Sequence, residues 1–282
     1  MKWRNARGSR NIEDRRGRST AKSGGMGILG IVAILAIGYF TGIDVSSFIS
    51  NSGTTSVQQV SIEISDQDKE RGRFVSAALG YTEQVWSEVF PDQVGKKYSP
   101  TTLVLFKGVT QSPCGNASGA TGPFYCPADR KVYLDTDFFV TLSNKMGAKG
   151  DFAAAYVVGH EVAHHVQNEL GILSQVNRAR QSMSTTDSNR ASVMVELQAD
   201  CFAGIWARYS GDRLGALESG DIDEAMNAAK QIGDDRLQRN AGRRPSPHTY
   251  THGTSEQRQR WFARGYQYAK MNQCDTFNAN QL

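Results

Sequence analysis

The chain has 282 residues, 39% hydrophobic and 21% charged, so at about 150 residues per domain it holds one or two folded units and is neither a peptide hormone nor a large multidomain machine. With 28 Gly and 7 Pro it is not collagen-like, and its apolar content suffices to bury a core, which argues against a disordered chain. The net charge of +4 is no nucleic-acid signature: eight of the 32 Lys and Arg and two of the 28 Asp and Glu fall in residues 1–25, leaving 24 bases against 26 acids elsewhere, with no surplus for phosphate.

Residues 1–25 therefore read as a basic arm. Met26 to Ile43 (MGILGIVAILAIGYFTGI) follows without a single charge and as a helix reaches roughly 27 Å, close to the hydrocarbon thickness of a bilayer. A buried core helix would show a polar stripe, and this segment shows none. A cleaved secretory signal would need a small-x-small site, and residues 39–44 offer no convincing one. The segment is expected to be an uncleaved single-pass anchor. By the positive-inside rule the arm stays cytoplasmic and everything after Asp44 lies outside the cytoplasm. Residues 44–62, rich in Ser, Thr and Gln, read as a flexible linker.

Residues 63–282 are expected to form the folded domain. From Ser65 the pattern is helical, with Phe74, Ala78, Tyr81, Val85 and Val89 at three- and four-residue steps. Thr102 to Phe106 (TLVLF) and Lys131 to Asp135 (KVYLD) look like strands, separated by a Gly-rich, Cys-flanked loop. Further helices are expected to begin after Asp137, after Asp151, near Ala191, at Ile222 and after Thr254, where Thr254 and Gln257 have capping-box spacing. Trp86, Trp206, Trp261 and Phe262 read as core. The fold class is α+β, helix-dominated, with a small sheet from the first half, preceded by one transmembrane helix.

Four cysteines, Cys114, Cys126, Cys201 and Cys274, allow three pairings. Outside the cytoplasm an even count suggests two disulfides, and Cys114 with Cys126 plus Cys201 with Cys274 is the favoured set. Four buried thiols are the alternative. A cysteine zinc site is disfavoured, since none of the four forms a CxxC pair.

Asp151 to Gly171 (DFAAAYVVGHEVAHHVQNELG) carries a good N-cap and a good C-terminal stop, so one helix is expected between them. Within it lies His160-Glu161-Val162-Ala163-His164. Side chains at i and i+4 share a helix face, so both imidazoles can converge on one ion while Glu161 projects beside them. Two neutral imidazoles leave zinc able to acidify a water, and the adjacent carboxylate can accept its proton. With 5 His and 11 Glu in the chain, shuffling yields HExxH about 0.003 times, which makes chance a poor explanation. A third ligand is required, and Glu196 and Asp200, again four apart on an expected helix, are the suggestive pair: one carboxylate can ligate while the other orients a ligand imidazole.

HEVAHH together with ELQADCFAG, CG…GPFYCP, VYLD, GDDRLQ and THGTSEQRQRWF resembles the neutral zinc metallopeptidases of bacterial membranes, over roughly residues 66–276. The resemblance implies a zincin-like domain that hydrolyses peptide bonds on the extracytoplasmic side of the inner membrane. It implies Zn2+ held by His160, His164 and Glu196, with Glu161 as general base and Asp200 orienting His160. It also suggests His252 as a donor to the tetrahedral oxyanion, with His248 the weaker candidate, and places Gly122 to Cys126 and the strand Lys131–Asp135 as an edge region across the cleft from an extended peptide. His165, rotated about 100° from His164 around the helix, should miss the ion and pair with Glu161 or Glu169. Two other readings use the same residues: a zinc amide hydrolase acting on cell-wall peptides, and a non-catalytic zinc-binding membrane scaffold. A structural site would be closed by a fourth ligand and would need no base.

Overall fold

The computed structural model describes residues 1–17, 64–118 and 122–282. The expected anchor at 26–43 and linker at 44–62 lie outside the described residues. No helix among the described residues is long and apolar enough to cross a membrane. Residues 1–15 and 64–282 make one compact unit, and a second, Arg16–Glu63, falls almost wholly outside the described residues.

The helix-dominated α+β expectation holds for the first unit. Strand β1 (Ile12–Asp14) is followed by helix α1 (Asp66–Val94). Ser65 caps α1 by accepting from the Asp68 amide, and Gly95, at φ 74°, ends it in the left-handed conformation that glycine adopts without penalty. Then come β2 (Thr102–Phe106), the β3–β4 hairpin (Val109–Ser112, Gly115–Ser118), β5 (Phe124–Cys126) and β6 (Lys131–Asp135). The main sheet has the order β1-β2-β6-β5, with β1, β2 and β6 parallel and β5 antiparallel at the edge. The register pairs Leu103 with Val132 and Leu105 with Leu134. Those four residues join the main core, whereas the alternate residues Val104, Phe106 and Tyr133 pack on the opposite face with Cys126, as strand alternation requires.

The second half is helical: α2 (Phe138–Asn144), α3 (Asp151–Glu169), α4 (Ile172–Arg180), α5 (Thr185–Asp212), α6 (Asp221–Gln231), α7 (Asp234–Asn240) and α8 (Ser255–Tyr268). Helix α3 is buried almost all round from Phe152 to Gln167, so it runs through the core, as the unbroken apolar and small run of residues 152–159 demands. Glycines set how closely its neighbours approach. A Cβ on Gly159 would lie 2.6 Å from the Trp206 ring, one on Gly204 would meet the Phe262 carbonyl oxygen, and one on Gly265 would meet the Cys201 carbonyl oxygen. Helices α5 and α8 thus meet backbone to backbone at Gly204 and Gly265, while α3 takes the Trp206 ring of α5 against its own backbone at Gly159.

Three expectations need correction. Helix α5 starts at Thr185, not near Ala191, because Ser184 caps it by accepting from the Asp187 amide; its first two turns are polar and show no apolar period. Asp151 is the first residue of α3 rather than its cap, which is Gly150. Residues 1–15 are no separate arm. Strand β1 pairs with β2, and Met1, Trp3, Ala6 and Ile12 pack on the main core, an apolar signal diluted in the sequence by the surrounding bases.

Both favoured disulfides form, Cys114–Cys126 and Cys201–Cys274. No free cysteine is left among the described residues. The four aromatics read as core, Trp86, Trp206, Trp261 and Phe262, are all buried.

Candidate metal centre and active-site cleft

Because Gly159 lets α3 lie against Trp206 of α5, the next residue, His160, faces Glu196 one turn before Asp200. His160 Nε2 is 3.1 Å from Glu196 Oε2, and His164 Nε2 is 3.5 Å from Glu196 Oε1. A ligand atom from each of the three lies within 4.8 Å of the others. Tetrahedral zinc with ligand bonds of about 2.0–2.2 Å separates its donors by about 3.3–3.5 Å. The two imidazoles and the carboxylate therefore fit zinc in donor type and in spacing. Glu161 is buried beside them, and burial pushes its carboxyl up from the usual range.

Each imidazole is held by its other nitrogen. His160 Nδ1 lies 2.9 Å from Asp200 Oδ1, so its N–H points at that carboxylate and the Nε2 lone pair is left for the ion. Burial alone would strip the proton from this ring, but the Asp200 charge and the hydrogen bonds to Asp200 and Glu196 together outweigh it, and the imidazole holds a proton more tightly than usual. Asp200 is itself fully buried, at a cost offset by a forked pair from Arg258, with Nε to Oδ2 at 2.8 Å and Nη2 to Oδ1 at 3.0 Å. The Tyr156 hydroxyl donates to Oδ1 at 2.5 Å and receives Arg258 Nη2 at 3.3 Å. Burial raises the Asp200 carboxyl, and Arg258 and His160, by charge and hydrogen bond, more than reverse it, so it stays ionised below its ordinary range.

His164 Nδ1 donates to Gln167 Oε1 at 2.8 Å, which turns its Nε2 toward the centre. Gln167 is fixed in turn, its amide donating to the Val195 carbonyl oxygen at 2.8 Å and to Gln198 Oε1 at 3.0 Å. His165 faces away from the ligand cluster, as expected, but its partners differ from those expected. Its Nε2–H donates to the Ser99 carbonyl oxygen at 2.6 Å, and its Nδ1 receives the Tyr125 hydroxyl at 3.0 Å. Glu169 pairs with Arg130 instead. His165 thereby ties α3 to the edge strand β5.

His252 stands in the loop before α8 with its side chain half exposed, Nδ1 3.3 Å from Asp234 Oδ1. The other oxygen, Oδ2, accepts the backbone amides of Thr251, His252 and Gly253 at 2.8, 2.7 and 3.0 Å, so one buried carboxylate shapes the loop and orients the ring. Burial would lower this imidazole, yet Asp234 and the Glu196 charge raise it on balance. His248 lies on the short helix Pro247–Thr249, lining a different groove with Asn189 and Tyr250. It does not share the site.

The cluster of His160, His164 and Glu196 opens onto a cleft of about 1010 Å³ that also takes in Glu161, His252 and Arg258, with Phe124 and Tyr125 of β5 on one wall and Leu173 of α4 on another. Arg258, Tyr156, Gln167 and Asp234 were not picked out from sequence. Arg258 sits in a run, SEQRQR, that reads as an exposed polar face, and only the packing of α8 on α5 turns it inward.

Comparison with known proteins agrees with this geometry. Residues 1–277 match the zinc peptidase family described as "putative neutral zinc metallopeptidase". The chain is 42% identical to the uncharacterized protein YpfJ of Escherichia coli K12 over 98% of this chain and 99% of that one. It is 41% identical to the uncharacterized protein Rv2575 of Mycobacterium tuberculosis over 74% of this chain and 73% of that one. No solved structure matches it. With matched residues running almost end to end, the chain belongs to the neutral zinc metallopeptidase family.

Proposed function

We propose that the protein is a zinc-dependent peptidase that hydrolyses peptide bonds in the cleft, with His160, His164 and Glu196 holding the ion. The observation that carries this reading is the three donors at zinc spacing beside a buried carboxylate, on the floor of an open cleft. A zinc ion so held supplies Lewis acidity toward a carbonyl and toward water. Asp200 and Gln167 keep both imidazoles in the ligating tautomer. Glu161 takes the proton of the attacking water and delivers it to the leaving amine. His252, steadied by Asp234, donates to the oxygen that gains charge at the tetrahedral stage. A peptide lies extended along β5, which among the described residues has β6 as its only strand neighbour and can pair with a further strand.

The disulfides and the apolar segment 26–43 support a location at a membrane, with the cleft on the side where disulfides form. Zinc content and cleavage of a peptide library by the untagged chain test the catalytic reading. Glu161→Gln should retain zinc and lose about 10²–10⁴-fold in turnover, whereas His160→Ala should lose both. Wild-type hydrolysis by Glu161→Gln would overturn the assignment of the base. Cleavage of purified cell wall but of no protein or peptide substrate would replace the peptidase with an amidase.

A further inference from the structure

Away from the cleft, the carboxylates of Asp151, Asp221 and Glu224 gather within 4.8 Å of one another, close enough to hold a cation. The chain's own first residue supplies it. The Met1 ammonium lies 2.5 Å from Asp151 Oδ1, 3.0 Å from Glu218 Oε2 and 3.2 Å from Asp221 Oδ1, with the Met1 side chain buried.

From that point the chain runs along α1 in continuous contact. Tyr81 donates its hydroxyl to the Lys2 carbonyl oxygen at 2.7 Å, and Trp3 packs edge-on against Phe74 at 5.5 Å between ring centroids. The Ser9 amide donates to the Ser76 carbonyl oxygen at 2.9 Å. The Ser9 hydroxyl and the Asn11 amide both donate to Glu83 Oε1, at 2.5 and 2.7 Å. Two glycines mark the closest approach. A Cβ on Gly80 would lie 2.6 Å from the Arg7 carbonyl oxygen, and one on Gly8 would lie 2.5 Å from Ser76 Oγ. Glycine in the middle of a helix costs stability; here its bare Cα is what admits the arm. Beyond it, β1 lies on β2, and Lys131 donates to Glu13 Oε2 at 2.8 Å.

Residues 15 and 64 are thus attached to one compact unit, and that unit contains both disulfides, a cross-link of oxidising compartments. We propose that residues 1–15 are an intramolecular latch seated on α1, so that arm and catalytic unit share the disulfide-forming side of any membrane. A single crossing by residues 26–43 would put the arm's bases on the cytoplasmic side, where none of these contacts could form. The inference does not depend on peptidase activity.

The sign of one substitution tests it in the full, untagged chain. On a helix without a docked arm, Gly80→Ala should raise Tm, because alanine is the better helix former. With the arm seated, it should lower Tm and speed trypsin cleavage after the exposed Arg7 and Arg10 about tenfold, as cleavage follows the population of the released arm. A raised Tm with unchanged cleavage overturns the latch. Independently, the Cβ of a residue at position 8 would lie 3.4 Å from Ser76 Cβ, near the span of a disulfide. In cells blocked with N-ethylmaleimide before lysis, Gly8→Cys/Ser76→Cys should yield a peptide linked between those two positions in a monomer. Both introduced thiols alkylated beside intact native disulfides would place the arm elsewhere and overturn the proposal. A link between two chains would also overturn it, since the groove would then hold a second copy's arm.

Discussion

Asp200 is fully buried and does not line the cleft, yet the orientation of His160 rests on it, and its own charge rests on Arg258 and Tyr156. Truncating one member of a buried ion pair typically costs about 3–5 kcal/mol, because the remaining charge is left unpaired. Arg258→Met should therefore destabilise the protein strongly and weaken zinc binding, measured by thermal unfolding with and without a chelator. Asp200→Asn leaves the Arg258 charge buried without its partner, so it should also be destabilised, and it should lose about 10–100-fold in zinc affinity, since an amide no longer guarantees a proton on His160 Nδ1. Unchanged zinc affinity in Asp200→Asn would remove it from the metal site. That His160 and His164 share a face was legible in the sequence, because i, i+4 spacing on a helix implies it whatever surrounds the pair. Arg258 and Gln167 were not. Their roles depend on which way a polar side chain turns once three helices have packed, and no local pattern encodes that.

Among the elements, α3 and the strands TLVLF and KVYLD were legible because their apolar patterns are strong over their whole length. The edge strand β5 was expected only through resemblance; three residues between Pro123 and Pro127 are too few to show a period. Helix α4, helix α7 and the β3–β4 hairpin went unread for a similar reason, being short and polar. The tight contact between α3 and α5 was not legible either, and it predicts an outcome contrary to helix propensity. Gly159→Ala should favour the helix by up to about 1 kcal/mol if propensity decides. The added Cβ, however, would come 2.6 Å from Trp206, and overpacking a core commonly costs about 1–3 kcal/mol. Packing wins on magnitude, so Tm should fall. Zinc affinity should fall with it, because His160 is the neighbouring residue and a shift of α3 changes its distance to Glu196. A variant with higher Tm and unaltered zinc affinity would show that α3 and α5 are not held at this separation.

For the whole molecule, the seated arm links stability to the state of one amine. Burial would lower the pKa of the Met1 ammonium, but hydrogen bonds to Asp151 and Glu218 and the charges of Asp151 and Asp221 raise it from 8.0 to about 10. A cation whose pKa is raised on folding contributes stability that is complete below the unfolded value and disappears as pH climbs through the folded one. The loss should therefore run from about pH 8 to about pH 10. The groups facing the amine are Asp151 on α3, Glu218 in the preceding loop, and Asp221 and Glu224 on α6. Burial also raises the nearby phenol of Tyr81, which keeps its proton for the Lys2 carbonyl through this range. Other groups titrate near pH 10, so the decisive quantity is a difference. The Tm of the native chain minus that of a chain with two residues added before Met1 should be positive at pH 7.5 and shrink toward zero by pH 10.5. Two of its partners, Asp151 and Glu218, are exposed to solvent, so the difference should also narrow in high salt. A difference that stays constant across that pH range would mean that the arm is held by its backbone and aromatic contacts alone, with the ammonium contributing nothing.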